Sequence, residues 1–250
     1  MSLTAPGQAV AAVRSLGCGV SVAFSGRAGG VSTGQYASLN LGAGRDDQAA
    51  VAANRATLAA ACGLAAADLT WMRQVHSAEV CYIGAGTREP PGPVDAMFTD
   101  VPGRALCVLA ADCVPVLIAD PQARIVGAAH SGREGLFARV VPALVSAMTA
   151  AGARPASMRA LTGPAICGSC YEVPAELQER VAAVVPQARC VTRAGTSGLD
   201  LTAGVAAQLA AAGVTSVEAD GRCTSESAEL FSYRRDRTMG RQAGLIWLAS

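Results

Sequence analysis

Lysine is missing from this chain, so all 20 of its basic residues are arginines. Without a lysine amine there is no Schiff-base or pyridoxal-type chemistry, and no Walker A phosphate loop can be built. The absence accompanies a general drift toward Ala and Arg, and we assign it no function. Histidine is scarce, with 2 residues, and aromatic residues make up only 4%. No charge sign dominates: 20 basic residues against 19 acidic give a net charge of +1. A chain so balanced has no long-range field to attract a polyanion or an anionic membrane surface, so neither nucleic acid nor membrane is an expected partner. Long apolar runs are also missing. Leu201 to Val217, as long as any uncharged stretch in the chain, is interrupted by Gly204 and Gly213 and carries Thr, Gln and Ser, so it does not read as a membrane span. The first residues, MSLTAPGQAVAAVRS, lack the basic start and apolar run of a secretory signal.

What is present supports a packed core. With 51% hydrophobic and 16% charged residues over 250 positions, enough surface can be buried to offset the entropy of ordering. Nine cysteines, an odd number spread from Cys18 to Cys223, argue for reduced thiols and a cytoplasmic setting rather than a disulfide scaffold. The sole linker-like stretch, Arg88 to Val94, is seven residues long and reads as a loop, so residues 1–250 read as a single domain.

Short apolar runs bounded by Gly, Pro and Asp predict strands at Val20 to Phe24, Leu69 to Val75, Glu79 to Ile83, Ala105 to Ala111 and Val114 to Ala119. Others follow at Ile125 to Ala129, Ser157 to Leu161, Ser216 to Ala219 and Leu245 to Leu248. Ala-rich segments with helical spacing lie between them, at Asp47 to Ala61, Gly135 to Ala151, Ala175 to Val184 and Leu201 to Ala212. The fold class expected is mixed α/β (α+β).

Both histidines sit where an apolar run gives way to a loop, His76 in Gln74-Val-His76 and His130 in Ala129-His130-Ser131-Gly132. Asp112 and Cys113 lie between two very apolar segments, where an unpaired carboxylate would be costly. Val114 to Asp120 and Ala123 to Ala129 can pair as a hairpin with Pro121-Gln122 at its tip. Asp120 then pairs with Ala123, and Cys113 falls directly opposite His130. A four-residue loop would move that pairing yet leave the two as near neighbours. A thiolate and an imidazole so placed could share a metal ion or act as nucleophile and base. With His76 the set becomes three ligands of a tetrahedral ion whose fourth position stays open, the pattern of a catalytic site.

Two other signals compete. Cys167-Gly-Ser-Cys170 has CxxC spacing, but no second CxxC or nearby His completes it, and two unconnected thiols in a loop are the favoured reading. The arginines of Ser232 to Arg241 could grip phosphate or form a solvated edge.

Phe24-Ser-Gly-Arg-Ala-Gly-Gly-Val-Ser32, Ser38-Leu-Asn-Leu-Gly42, Asn54-Arg55, Gln74-Val-His76, Ala111-Asp-Cys-Val-Pro-Val116 and His130-Ser-Gly132 resemble motifs of the YfiH/laccase-domain family, formerly called multicopper polyphenol oxidases. Gly163-Pro-Ala-Ile166, Tyr171-Glu-Val173, Leu199-Asp-Leu201, Phe231-Ser-Tyr-Arg-Arg-Asp236 and Gly240-Arg-Gln-Ala243 extend the likeness over nearly the whole chain. The resemblance implies the YfiH-like cysteine hydrolase fold, with mixed sheets flanked by helices. It also implies a zinc-dependent purine nucleoside enzyme: phosphorolysis of adenosine, inosine, guanosine and methylthioadenosine, and deamination of adenosine. A bacterial branch is associated with editing of peptidoglycan precursors. Carried over, the metal ligands and catalytic residues are His76, Cys113 and His130, with Arg27, Asn40 and Arg133 expected at the substrate and Asp112 or Glu172 as proton carriers. One departure is Glu134, which stands where the family has Arg. The alternatives are a metal-free Cys/His hydrolase or amidase, a copper-dependent phenol oxidase and a non-catalytic ligand-binding protein.

Overall fold

The computed structural model describes residues 13–237 and 240–249. Its elements run β1 (Arg14–Gly17), β2 (Val20–Phe24), α1 (Gln48–Ala61), β3 (Leu69–Trp71), β4 (Val80–Tyr82), β5 (Ala96–Thr99), β6 (Ala105–Ala110), β7 (Val114–Asp120) and β8 (Ile125–Ser131). They continue with α2 (Arg133–Phe137), α3 (Val140–Ala150), β9 (Arg159–Thr162), α4 (Ala175–Ala182), β10 (Arg189–Val191), β11 (Ser197–Leu199), α5 (Leu201–Ala211), β12 (Ser216–Ala219), α6 (Tyr233–Asp236) and β13 (Gln242–Leu248). The reading of the N-terminal residues as no secretory signal falls mostly outside the described residues.

Two sheets dominate, one in the order β1-β2-β13-β6-β3 and one in the order β12-β9-β7-β8-β5-β4, and β10 and β11 form a small ribbon. Their layering follows from the period-2 alternation of strand side chains. In β7, Leu117 and Ala119 join a cluster with Val22, Leu106 and Ile246 of the other sheet, whereas Val116 and Ile118 join Leu144, Met148 and Val205 on the helical side. In β13, Ile246 and Leu248 face the neighbouring sheet, while Leu245 and Trp247 face Leu58 of α1. The result is helix, sheet, sheet, helix, with β7 buried at every residue. Each such Leu or Ile contributes about 1.5–3 kcal/mol by leaving water.

Three local findings revise the sequence reading. The helix expected from Gly135 to Ala151 is broken, because Arg139 is left-handed (φ 64°) between α2 and α3. A continuous helix would set the ring of Pro142 against the carbonyl of Ala138 four residues back. β1, β5, β10 and β11 carry too few residues to show an alternation. The β7–β8 hairpin also has a four-residue connection, not the expected two: Asp120 pairs with Ile125, and Pro115, not Cys113, lies across from His130. The reason is Asp120 itself, whose carboxylate accepts the Gln122 and Ala123 amides at 3.0 and 3.1 Å and closes a wider turn. The slip is an even number of residues, so every side chain keeps its face.

Candidate metal centre

His76 follows β3 on a segment that leaves the sheet. Gln74 acts there as a surrogate strand partner, donating from its amide to the Leu109 carbonyl and accepting the Leu109 N–H, both at 2.8 Å. His76 itself is left-handed (φ 63°), a conformation that a non-glycine residue holds only under constraint. That constraint is Asp95, whose Oδ2 accepts the N–H of Val75 at 3.0 Å, the N–H of Ser77 at 2.7 Å and the Ser77 hydroxyl at 3.0 Å.

Cys113 ends the short link between β6 and β7. Its predecessor Asp112, at φ 92°, has both carboxylate oxygens engaged, by the Thr224 hydroxyl and the Arg234 N–H at 2.6 Å each. Asp112 is thus a peg that fixes the direction of the Cys113 side chain. Glu172 is exposed, and its backbone carbonyl accepts from Arg234 at 2.9 Å. His130 lies near the end of β8, buried, with Nδ1 2.8 Å from Asp95 Oδ1. The carboxylate fixes the tautomer, so Nε2 is left as the free donor atom.

One donor atom each from His76, Cys113 and His130 lies within 4.8 Å of the others. Cys113 Sγ is 3.9 Å from His76 Nε2, and the imidazole centroids are 4.7 Å apart, edge to face. Gly132 makes the convergence possible, since a Cβ there would stand 2.7 Å from Cys113 Sγ and 3.0 Å from His76 Cδ2. Electrostatics agree. Burial resists ionisation of the Cys113 thiol, but His130 and then His76 outweigh it and bring the thiol down to about 6. By contrast, burial alone pushes Cys62 up to about 11. Burial disfavours the His130 imidazolium, yet Cys113 and Asp95 raise it to about 9. Burial opposes the Asp95 carboxylate too, but its bonds to His130, Ser77 and Val75 hold it far below the usual carboxylate range.

The fit to a metal is good: one thiolate and two imidazoles of suitable softness, a space kept clear by a glycine, and a carboxylate behind one imidazole. The three side chains border a cavity of about 610 Å³, well within the size of small-molecule sites. Its walls include Arg55, Trp71, Arg73 and Arg241. The Arg55 guanidinium lies 4.1 Å over the Trp71 ring and donates to the Leu41 carbonyl.

The family described as multi-copper polyphenol oxidoreductase laccase matches residues 21–249. The chain belongs to that family. Within it, the chain is 54% identical over 231 residues to "Purine nucleoside phosphorylase ORF3" of Streptomyces griseus, covering 90% of this chain and 93% of that protein. It is 38% identical to "Purine nucleoside phosphorylase YfiH" of Shigella flexneri, over 92% and 94% of the two chains. The crystal structure of YlmD from Geobacillus stearothermophilus superimposes with a TM-score of 0.87 at 32% identity, with 93% of each chain covered.

The residues expected at the substrate lie elsewhere than on this cavity's wall. Arg27 donates to the Ala37 carbonyl at 2.6 Å, pairs with Asp236 at 3.3 Å and stacks on Phe231. Asn40 is fully buried, bonding Gly42, Asp46 and the Arg241 N–H, so it acts on the cavity through Arg241. Arg133 pairs with Glu134 at 2.8 Å, and Arg180 approaches the same carboxylate at 3.8 Å. In the arginine-rich run, Arg235 is spent on the carbonyls of Thr224, Ser227 and Leu230, whereas Arg241 reaches the cavity. Asp95 escaped the sequence reading, although Pro93-Val-Asp95-Ala-Met-Phe98 carries the signal that singled out Asp112, a carboxylate within an apolar run.

Proposed function

We propose that this chain is a purine nucleoside enzyme, cleaving adenosine, inosine, guanosine and methylthioadenosine with phosphate and deaminating adenosine. The observation that carries the reading is the thiolate and two imidazoles at the wall of a nucleoside-sized cavity lined by arginines. The printed names of the relatives support the substrate class. His76, Cys113 and His130 would hold zinc; the ion supplies Lewis acidity and lowers the pKa of a water toward about 7. Asp95 keeps the proton on His130 Nδ1 and presents Nε2. Gly132 leaves room for Cys113 Sγ and His76 to converge. Burial lowers the pKa of both Arg55 and Arg241, so each guanidinium is already partly stripped of water and accepts a phosphate oxyanion at reduced cost. Trp71 backs the Arg55 guanidinium at the cavity wall. Arg27 and Arg133 act as further substrate contacts only if ligand binding releases them from Asp236 and Glu134.

Copper oxidase chemistry fits less well, because two histidines in the whole chain supply too few imidazoles for a multicopper cluster. No helix among the described residues is long and apolar enough to cross a membrane, and nine free cysteines support a cytoplasmic setting. The test is chromatography of products from a purine nucleoside panel, with and without phosphate, using Cys113→Ala as control. Free base plus sugar phosphate, or inosine from adenosine, is the expected result; no product from any nucleoside overturns the reading.

The lowered Cys113 thiol beside two imidazoles favours a second reading, a metal-free Cys/His hydrolase or amidase acting on cell-wall nucleotide precursors. Activity that survives a strong chelator would select it.

A further inference from the structure

A second cluster lies away from the cavity and overturns the reading of Cys167 and Cys170 as unconnected thiols. The Cys170 N–H donates to the Cys167 carbonyl at 3.0 Å, closing a tight turn after β9. Cys223 follows β12, where it bridges to Ala165, and the Glu226 N–H donates to the Cys223 carbonyl at 3.2 Å. Sequence alone could not show the meeting, because 52 residues separate Cys170 from Cys223 and the parallel β9–β12 pairing brings them together. One donor atom each from Cys167, Cys170, Cys223 and Glu226 lies within 4.8 Å of the others. The Cys167 N–H points at Cys223 Sγ from 3.3 Å, and Cys170 Sγ donates to Glu226 Oε1 at 3.5 Å.

We propose that Cys167, Cys170, Cys223 and Glu226 form a second metal site, for a zinc-type divalent cation in a structural role. Three sulfurs and one carboxylate oxygen make a closed tetrahedral set, and soft thiolates select zinc over magnesium or calcium. With Zn–S bonds of about 2.3 Å, tetrahedral donors stand roughly 3.7 Å apart, so the cluster needs to contract by only about 1 Å. Arg193, which pairs with Glu226, offsets part of the negative charge that the ligands bring. Gly168 keeps the turn in place, since a Cβ there would meet Cys190 Sγ at 2.7 Å and Asp200 Cβ at 3.0 Å.

The site's role follows from its neighbours. Thr224, next to Cys223, donates its hydroxyl to Asp112, and the Ile166 N–H, next to Cys167, donates to the Asp112 carbonyl at 2.9 Å. An ion joining these two segments braces two of the three contacts that hold Asp112, Arg234 supplying the third, and through it the direction of Cys113.

The test uses the full chain with the first cluster disabled by Cys113→Ala and His130→Ala. After reduction and reconstitution with Zn²⁺, native mass spectrometry should find about one equivalent bound, and Co²⁺ in its place should give intense thiolate-to-cobalt absorption. Peptide mapping should show Cys167, Cys170 and Cys223 shielded from alkylation until a chelator is added. Adding Cys170→Ser and Cys223→Ser should abolish the bound equivalent, while Cys190→Ser should leave it. No bound ion in the folded, reduced double variant overturns the proposal, and so does a disulfide joining two of the three cysteines in freshly purified protein. The first measurement keeps all four ligands in place, so it does not depend on a serine variant folding, and it is independent of the purine reading.

Discussion

The two sulfur-bearing clusters differ in what stands around their donors. The donors at His76 and Cys113 sit on the segments that follow β3 and β6, and that of His130 near the end of β8; they are gripped from behind by Asp95 and Asp112, and their open side faces a cavity. At Cys167, Cys170, Cys223 and Glu226 the donors come from loops and satisfy one another. The first arrangement supplies three donors and leaves a fourth position for a reactant, whereas the second supplies four donors itself. Donor count and backing, more than the identity of the metal, separate a site that does chemistry from one that holds chain segments together.

The comparison breaks most directly at a donor. Cys113→Ala or His130→Ala should lower kcat/KM for a purine nucleoside by ~10³-fold or more in a folded protein, and steady-state kinetics that retain a tenth of the activity would remove the cluster from the reaction. The next largest effect belongs to Asp95→Asn, which denies His130 its anionic partner. Competition with a chelator should show metal affinity weakened by ~10–100-fold, and unchanged affinity would mean that the carboxylate serves the loop alone. Gly132→Ala should sit at the lower end, about tenfold, because its methyl must push Cys113 Sγ and His76 apart. The smallest change in turnover is expected at the second cluster. Cys223→Ser should lower Tm by roughly 4–8 °C, equivalent to ~2 kcal/mol in a chain of this size, and reduce kcat by only a few-fold. Thermal melts alongside kinetics check this, and a larger loss in turnover than in stability would erase the distinction.

Much of the fold was legible where strands are long. β2, β6, β7 and β8 announce themselves as apolar runs, and the first three candidate ligands could be placed at run ends. Two kinds of information stayed hidden. Pairing between distant segments, as of β9 with β12, leaves no local trace, so the CxxC seemed incomplete. Side chains that act on backbone were also invisible, such as Asp120 widening its turn or Asn40 holding Arg241. Asp95 is an intermediate case, because its apolar setting is visible while its two clients are not.

Asp95 also shapes how the centre would come apart. A single carboxylate orients the ring of one histidine and pins the peptide on each side of the other, so neither imidazole can wander alone. Thermal or chemical damage at that point should therefore scatter both at once, and metal release should follow a single cooperative event rather than a stepwise loss of ligands.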